Sequence, residues 1–276
     1  MTPIHGSERM ENQTEQNNLR QINRLNQRGG RMLSIVDLML DGTLTAEMAA
    51  FCWMAVEGGT SFITGAVPGG AGKTTLMAGV LSFLPPGERI ATVADRSVID
   101  RGLEGRLDPP VTVLAHEIGS GRWFGYIWGR DAADFFSLSG HGVRCVSCLH
   151  ADDPQQAWHI LEPLGVERDD FEKLDLQLYM HFGSGRSGRM RRVQGLHYRF
   201  SGELRMAYAW DPAEDDFNRL PDRHVLAEAL ARRRGGDAEC AEAGWRRREE
   251  LLRELSEREI TRFEDVRERI LRDYRD

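Results

Sequence analysis

The chain has 276 residues, a formal charge of −7 and an apolar fraction of 41%, enough for one large α/β domain with appendages or for two modest domains. The negative balance argues against direct nucleic-acid binding, which needs a positive surface. No apolar run reaches the roughly 18 residues needed to span a bilayer, and four scattered cysteines argue against a disulfide framework.

Residues 1–31 are rich in Asn, Gln, Glu and Arg with few apolar anchors and read as disorder or a loose helix, not a signal peptide. Apolar patterning begins at Leu33. Thr45 is a good N-cap for a helix carrying Met48, Phe51, Cys52 and Val56 on its apolar face and ending at Gly58-Gly59. A strand over 61–67, a glycine loop and a helix over 74–84 follow, stopped by Pro85-Pro86-Gly87. Strands are expected at 89–95, 111–117 and 143–151, with an aromatic-rich helix at 123–138 and another from Pro154 to Leu161. Strands alternating with helices specify a mostly parallel sheet with covered faces. Past Leu174 the pattern changes to strands at 174–182, 190–200 and 203–210, with Ser201-Gly202 as a hairpin turn, an antiparallel extension of the same sheet. From Asp222 the chain becomes helical and charged: 245–259 and 262–274 are amphipathic, with Thr261 to Glu264 as a capping box between them. Their apolar residues Leu251, Leu252, Leu255, Ile260, Phe263, Val266 and Ile270 are expected to pack on the core or on each other. The domain reading is a polar N-terminus 1–31, an α/β domain 32–221 and a charged helical region 222–276.

The chemistry concentrates in Val67-Pro68-Gly69-Gly70-Ala71-Gly72-Lys73-Thr74-Thr75, a Walker A loop whose usual first glycine is Val67. Its backbone N–H groups surround a β-phosphate, and the next helix adds its positive end. Lys73 would reach the β/γ oxygens and Thr74 would ligate Mg²⁺. Among 36 lysines plus arginines, only Lys73 and Lys173 are lysine; a compact ammonium fits between phosphates where a planar guanidinium does not. Lys173 sits in a charged loop and reads as solvated surface. The strand Val111 to His116 ends in Glu117, a Walker B arrangement placing a carboxylate where it orients water and supports Mg²⁺. His150, at the end of the fourth strand, is placed to touch a γ-phosphate; the bland alternative is a satisfied core histidine. A zinc site from His141, Cys145, Cys148 and His150 is rejected, because the odd spacing of Cys145 and Cys148 sends them to opposite faces of a strand.

Together these elements resemble the secretion-superfamily ATPases, the motors of type II and type IV secretion, type IV pili and tight-adherence pili. The resemblance spans about Leu33 to Leu161: Ile35 to Leu38 and Gly42 to Ala49 resemble the lead-in helix, Leu84 to Asp95 the approach to the Asp box, Glu117 the Walker B glutamate and Leu149-His150-Ala151 the His box. It implies a RecA-like fold, ATP with Mg²⁺, and catalytic roles for Glu117, Lys73 and His150. It also implies nucleotide contacts from 68–75 and from Asp95, and a homo-oligomeric, hexameric ring. The partner it implies is an inner-membrane platform protein, and the location is the cytoplasm, at the cytoplasmic face of the membrane. The chain departs from the pattern in three ways. Ala94 replaces the acid before Asp95; the short stretch 95–111 leaves Arg96, Arg101 and Arg106 as the candidates for the family's site arginine; and thirty polar residues leave no room for the usual N-terminal domain. Two functions follow: a trimmed ATP-driven motor, or a slow nucleotide-dependent switch or scaffold that presents its C-terminal helices to a partner. Nothing resembles a guanine-specificity motif, which disfavours a GTPase.

Overall fold

The computed structural model describes residues 4–26, 29–185 and 188–275. In chain order, α1 (Ile4–Asn23), α2 (Ile35–Leu40) and α3 (Ala46–Glu57) precede β1 (Phe62–Gly65) and α4 (Lys73–Leu81). Next come β2 (Arg89–Thr92), α5 (Ser97–Leu103), β3 (Val111–Leu114) and the two-residue strands β4 (Glu117–Ile118) and β5 (Tyr126–Ile127). The α/β half ends with α6 (Arg130–Ser137), β6 (Arg144–Leu149), α7 (Pro154–Leu161) and α8 (Arg168–Phe171). Then follow β7 (Leu176–Gly185), β8 (Gly188–Phe200), β9 (Glu203–Asp211), β10 (Asp216–Arg219), α9 (Arg223–Arg234), α10 (Ala238–Glu257) and α11 (Phe263–Asp273).

Eight of these strands form one sheet in the order β10-β9-β8-β7-β1-β6-β3-β2. β7, β1, β6, β3 and β2 run parallel, whereas β8, β9 and β10 continue antiparallel from β7. The protein is therefore an α/β P-loop fold with a mostly parallel sheet, an antiparallel extension and C-terminal helices. β1, β3 and β6 are buried along their whole length, as expected for parallel strands covered on both faces. The odd spacing has its expected effect: Cys148 lies in the larger core layer with Leu114 and Val146, and Cys145 in the opposite layer with Val113 and Leu149.

The N-terminus differs from its expected reading, whereas the C-terminal helices pack as expected. The polar N-terminal stretch, expected to be disordered or loosely helical, forms α1, and its asparagine has a specific task. Asn18 donates from Nδ2 to the Glu88 carbonyl at 2.7 Å and accepts from the Ile90 N–H at 2.8 Å. It thereby satisfies backbone groups on β2, the edge strand, which an open edge would leave as a template for other chains. At the other end, Trp245 of α10 is fully buried, 5.3 Å from the Phe51 ring, and its indole donates to the Glu47 carbonyl at 3.0 Å. Leu252, Leu255, Phe263, Val266 and Ile270 are buried in the same layer as α2, α3 and α4. The C-terminal helices thus pack on the core; burying a large apolar side chain stabilises by roughly 1.5–3 kcal/mol each.

Two local expectations are corrected. The capping box at Thr261 does not form: the N-cap of α11 is Arg262, with no side-chain cap, and its backbone pairs with Leu33 in an isolated bridge. A genuine capping box sits at α2, where Ser34 accepts from Asp37 N at 3.3 Å and Asp37 accepts from Ser34 N at 2.7 Å. The aromatic-rich helix at 123–138 is shorter than expected. Gly125 (φ +75°) and Gly129 (φ +60°) take left-handed conformations, so β5 forms first and helix begins only at Arg130. The Ser201-Gly202 hairpin turn is as expected, with both residues at positive φ.

Candidate functional site

The site is assembled at the carboxyl ends of β1, β3 and β6, where open α/β sheets place their ligand crevices. β1 ends at Gly65, which lies so close to its neighbours that a Cβ would sit 2.4 Å from the Ala151 carbonyl and 2.5 Å from the Tyr179 ring. The glycine loop then turns through Gly70 (φ +80°) and Gly72 (φ +101°), and α4 starts at Lys73. Gly72 is its N-cap and provides no side-chain cap, so the first-turn N–H groups remain available to an anion.

A cavity of about 750 Å³ opens over this helix end. Gly69 to Thr75 line it, together with Glu117, Tyr126, His150, Met180 and Arg191 and with Leu25, Asn26, Gly29, Arg31, Met32, Leu33, Asp37, Leu38 and Asp41. Lys73 is 5% exposed. Its Nζ donates to the Ala66 carbonyl at 3.3 Å and lies 3.4 Å from both ring nitrogens of His150. His150 Nδ1 is 2.8 Å from the Val67 carbonyl, and its Nε2 is 3.2 Å from Glu117 Oε1. The bland alternative of a satisfied core histidine does not hold: His150 is exposed and lines the cavity.

Glu117 Oε2 accepts from Tyr126 Oη at 3.2 Å and lies 3.9 Å from Cys148 Sγ. Burial, then the Glu117 charge, pushes the Tyr126 hydroxyl up to about 12, and the same two causes push the Cys148 thiol up to about 12. Both groups stay protonated near neutrality; the tyrosine donates to the carboxylate, and the thiol donates to the His116 carbonyl at 3.1 Å. The Thr74 hydroxyl lies beside the same thiol. One carboxylate oxygen is thus held by the Tyr126 hydroxyl while the other faces His150, an arrangement able to aim a water and to contribute to a cation.

Val67, the residue in place of the usual glycine, keeps an ordinary backbone. Its N–H donates to Asp152 Oδ1 at 2.7 Å and its carbonyl faces His150. The segment His150-Ala151-Asp152 therefore fixes the first position of the loop through main-chain atoms, leaving the Val67 side chain exposed.

Pro68 and Asp95 do not line the cavity. Asp95 is exposed, and its carboxylate accepts from Ser97 N at 2.9 Å at the start of α5; these bonds from Ser97 hold it below the usual carboxylate range. The three arginines considered for the site lie outside it too. Arg96 is engaged by Asp100 at 2.8 Å and by Asp131 and Asp134 at 2.5 Å each, Arg106 pairs with Glu104, and Arg101 is not among the lining residues. The cavity instead holds Arg191 from β8 and Arg31, which pairs with Asp37 at 2.5 Å. Sequence reasoning missed both, and Tyr126. Each reaches the site across a long stretch of chain, and the strand alternation around Arg189, Arg191 and Arg192 does not say which arginine faces the loop.

No family model matches the chain. A curated relative, an uncharacterized protein of Methanocaldococcus jannaschii (MJ0900), is 26% identical over 265 residues that cover 86% of this chain. The chain spans about half the length of that relative, 48%. Among solved structures it is similar to the VirB11 ATPase of the Brucella suis type IV secretion system, crystallised with sulphate: 18% identity, TM-score 0.41, 59% of this chain and 54% of that one. It is also similar to the Legionella pneumophila ATPase DotB: 10% identity, TM-score 0.39, 76% of this chain and 58% of that one. No helix among the described residues is long and apolar enough to cross a membrane. Both similar solved structures are ATPases, and one belongs to a type IV secretion system.

Proposed function

We propose that the chain binds and hydrolyses ATP as a motor of the type II/IV secretion and pilus-assembly ATPase superfamily. The observation that carries this reading is the convergence of Lys73, His150 and Glu117, from three separate strand ends, on one cavity at the N-terminus of α4. In this reading the loop amides from Gly69 to Lys73 and the Lys73 ammonium hold the β- and γ-phosphates. Met32, Leu33 and Leu38 offer apolar surface for the nucleoside end of the same cavity. Thr74 and Glu117 offer one hydroxyl and one carboxylate, a hard-oxygen donor set that suits Mg²⁺; the ion neutralises phosphate charge when bound. Glu117, steadied by Tyr126, orients the attacking water, and His150 bridges phosphate to the Walker B strand. By resemblance the working assembly is a hexameric ring at the cytoplasmic face of the membrane, acting on a platform protein.

A second reading, a slow nucleotide-dependent switch or scaffold, is favoured by one observation: Arg96, Arg101 and Arg106 are all away from the cavity. Glu117→Gln separates the two. Shape and hydrogen-bonding reach are kept while the base is lost, so ATP affinity is expected to survive and single-turnover hydrolysis to fall by about 100-fold or more. Parent and variant hydrolysing at the same near-background rate would remove the motor reading and leave the switch.

A further inference from the structure

We infer that Arg191 is a phosphate-binding residue of the nucleotide site, supplied in cis by the antiparallel extension of the sheet. The inference rests on the ATP-site reading above and deepens it. Arg191 Nη2 donates to the Gly70 carbonyl at 3.3 Å. Its aliphatic stem runs so close to the loop that a Cβ on Gly72 would lie 3.2 Å from Arg191 Cδ. The guanidinium stands over the Phe182 ring at 5.0 Å, a cation–π contact that fixes the plane of the group.

The contrast with its neighbour is informative. Adjacent strand residues face opposite ways, and Arg192 makes a bidentate pair with Asp215 at 2.7 and 2.8 Å. Arg191 pairs with no carboxylate among the described residues. Arg191 lines the cavity that Lys73 and the positive end of α4 also line. A guanidinium, an ammonium and a helix N-terminus gathered around one glycine loop accumulate positive potential that a polyanion offsets. Guanidinium donors match phosphate oxygens two at a time. A triphosphate takes up this charge better than a diphosphate, so Arg191 contributes to preference for ATP over ADP. It occupies the role for which Arg96 is unavailable, since three carboxylates already hold Arg96.

The test measures affinity for ATP–Mg²⁺ and ADP–Mg²⁺, and single-turnover hydrolysis, in the parent, Arg191→Gln, Arg191→Lys and Lys73→Ala. Arg191→Gln keeps a side chain beside Gly72 but loses the guanidinium over Phe182, and its unfolding midpoint checks that the fold is intact. We expect Arg191→Gln to lose ATP affinity about 10-fold or more and ADP affinity less, with Arg191→Lys partly restoring ATP binding. Mixing Arg191→Gln with Lys73→Ala is expected to restore no activity, because a cis residue cannot complement a neighbour. Rescue on mixing would overturn the cis assignment. An unchanged ATP-to-ADP preference in Arg191→Gln, with Lys73→Ala failing to bind, would overturn the phosphate role. Lys73→Ala binding ATP like the parent would remove the ATP site itself, a distinct failure.

Discussion

Val67 shows how little of a glycine loop needs glycine. Positive φ is required at Gly70 and Gly72, where a Cβ would be strained, and at Gly72 it would also crowd Arg191 and Met180 at 3.2 Å. Position 67 carries no such requirement. Its two contacts, to Asp152 and to His150, are made by backbone atoms, and its side chain is 48% exposed. Val67→Gly is therefore expected to leave ATP affinity within about 2-fold of the parent, because every main-chain hydrogen bond survives and the entropy lost amounts to only about 0.5–1 kcal/mol of stability. Isothermal titration with ATP–Mg²⁺ checks this. A large loss of affinity would mean that the valine side chain itself shapes the loop. The departure from the motif that is most visible in the sequence is thus the one with the least structural consequence.

At the scale of elements, local signals and long-range placement separate cleanly. The strand–loop–helix of the Walker A unit, the Thr45 cap, which accepts from Met48 N at 3.2 Å, and the 201–202 hairpin were legible because each is decided within a few residues of sequence. The β4–β5 ribbon was not. It depends on Gly125 approaching the His116 ring, where a Cβ would be 2.6 Å from Cγ, and on His116 N donating to the Gly125 carbonyl at 2.7 Å. Helical apolar spacing in 123–138 masked that tertiary contact. Arg191 was hidden for the same reason: its partner in the loop, the Gly70 carbonyl, lies 121 residues away. The α1 helix is the plainest case, since its polar composition reads as solvated whereas Asn18 is 2% exposed and seals the sheet edge. Asn18→Ala leaves the Glu88 carbonyl and the Ile90 N–H without that partner. The expected cost is about 1–3 kcal/mol in urea unfolding, together with faster amide exchange at Ile90. Exchange at Ile90 equal to that of the parent would show that the edge is protected by something other than this side chain.

For the whole molecule, two buried imidazoles set a pH dependence that the surface ion pairs do not. Burial, then the Arg24 charge, holds His116 down at about 4, and burial holds His197 down at about 4 against a smaller opposing pull from Asp153. They sit in different regions: His116 against Phe124 and Gly125, His197 against Tyr179 and Gly195. In the unfolded chain both titrate near 6.5. Between about 6.5 and 4 the unfolded state therefore binds protons that the folded state refuses, and stability falls as pH falls through that window. Below it both states are protonated and these groups add nothing further. At pH 5 each imidazole accounts for a loss of about 2 kcal/mol relative to pH 7.5, a large share of a typical domain stability of about 5–15 kcal/mol. Asp215, held down at about 2 by its bonds to Arg192, loses its contribution only below the ordinary carboxylate range, so its window is separate. Neither ring nitrogen of His116 has a hydrogen-bond partner among the described residues, so His116→Leu removes the titration without breaking a bond. We expect urea unfolding of that variant to lose about half as much stability between pH 7.5 and pH 5 as the parent does. An identical loss in parent and variant would place the acid sensitivity elsewhere than in the buried imidazole beside Glu117.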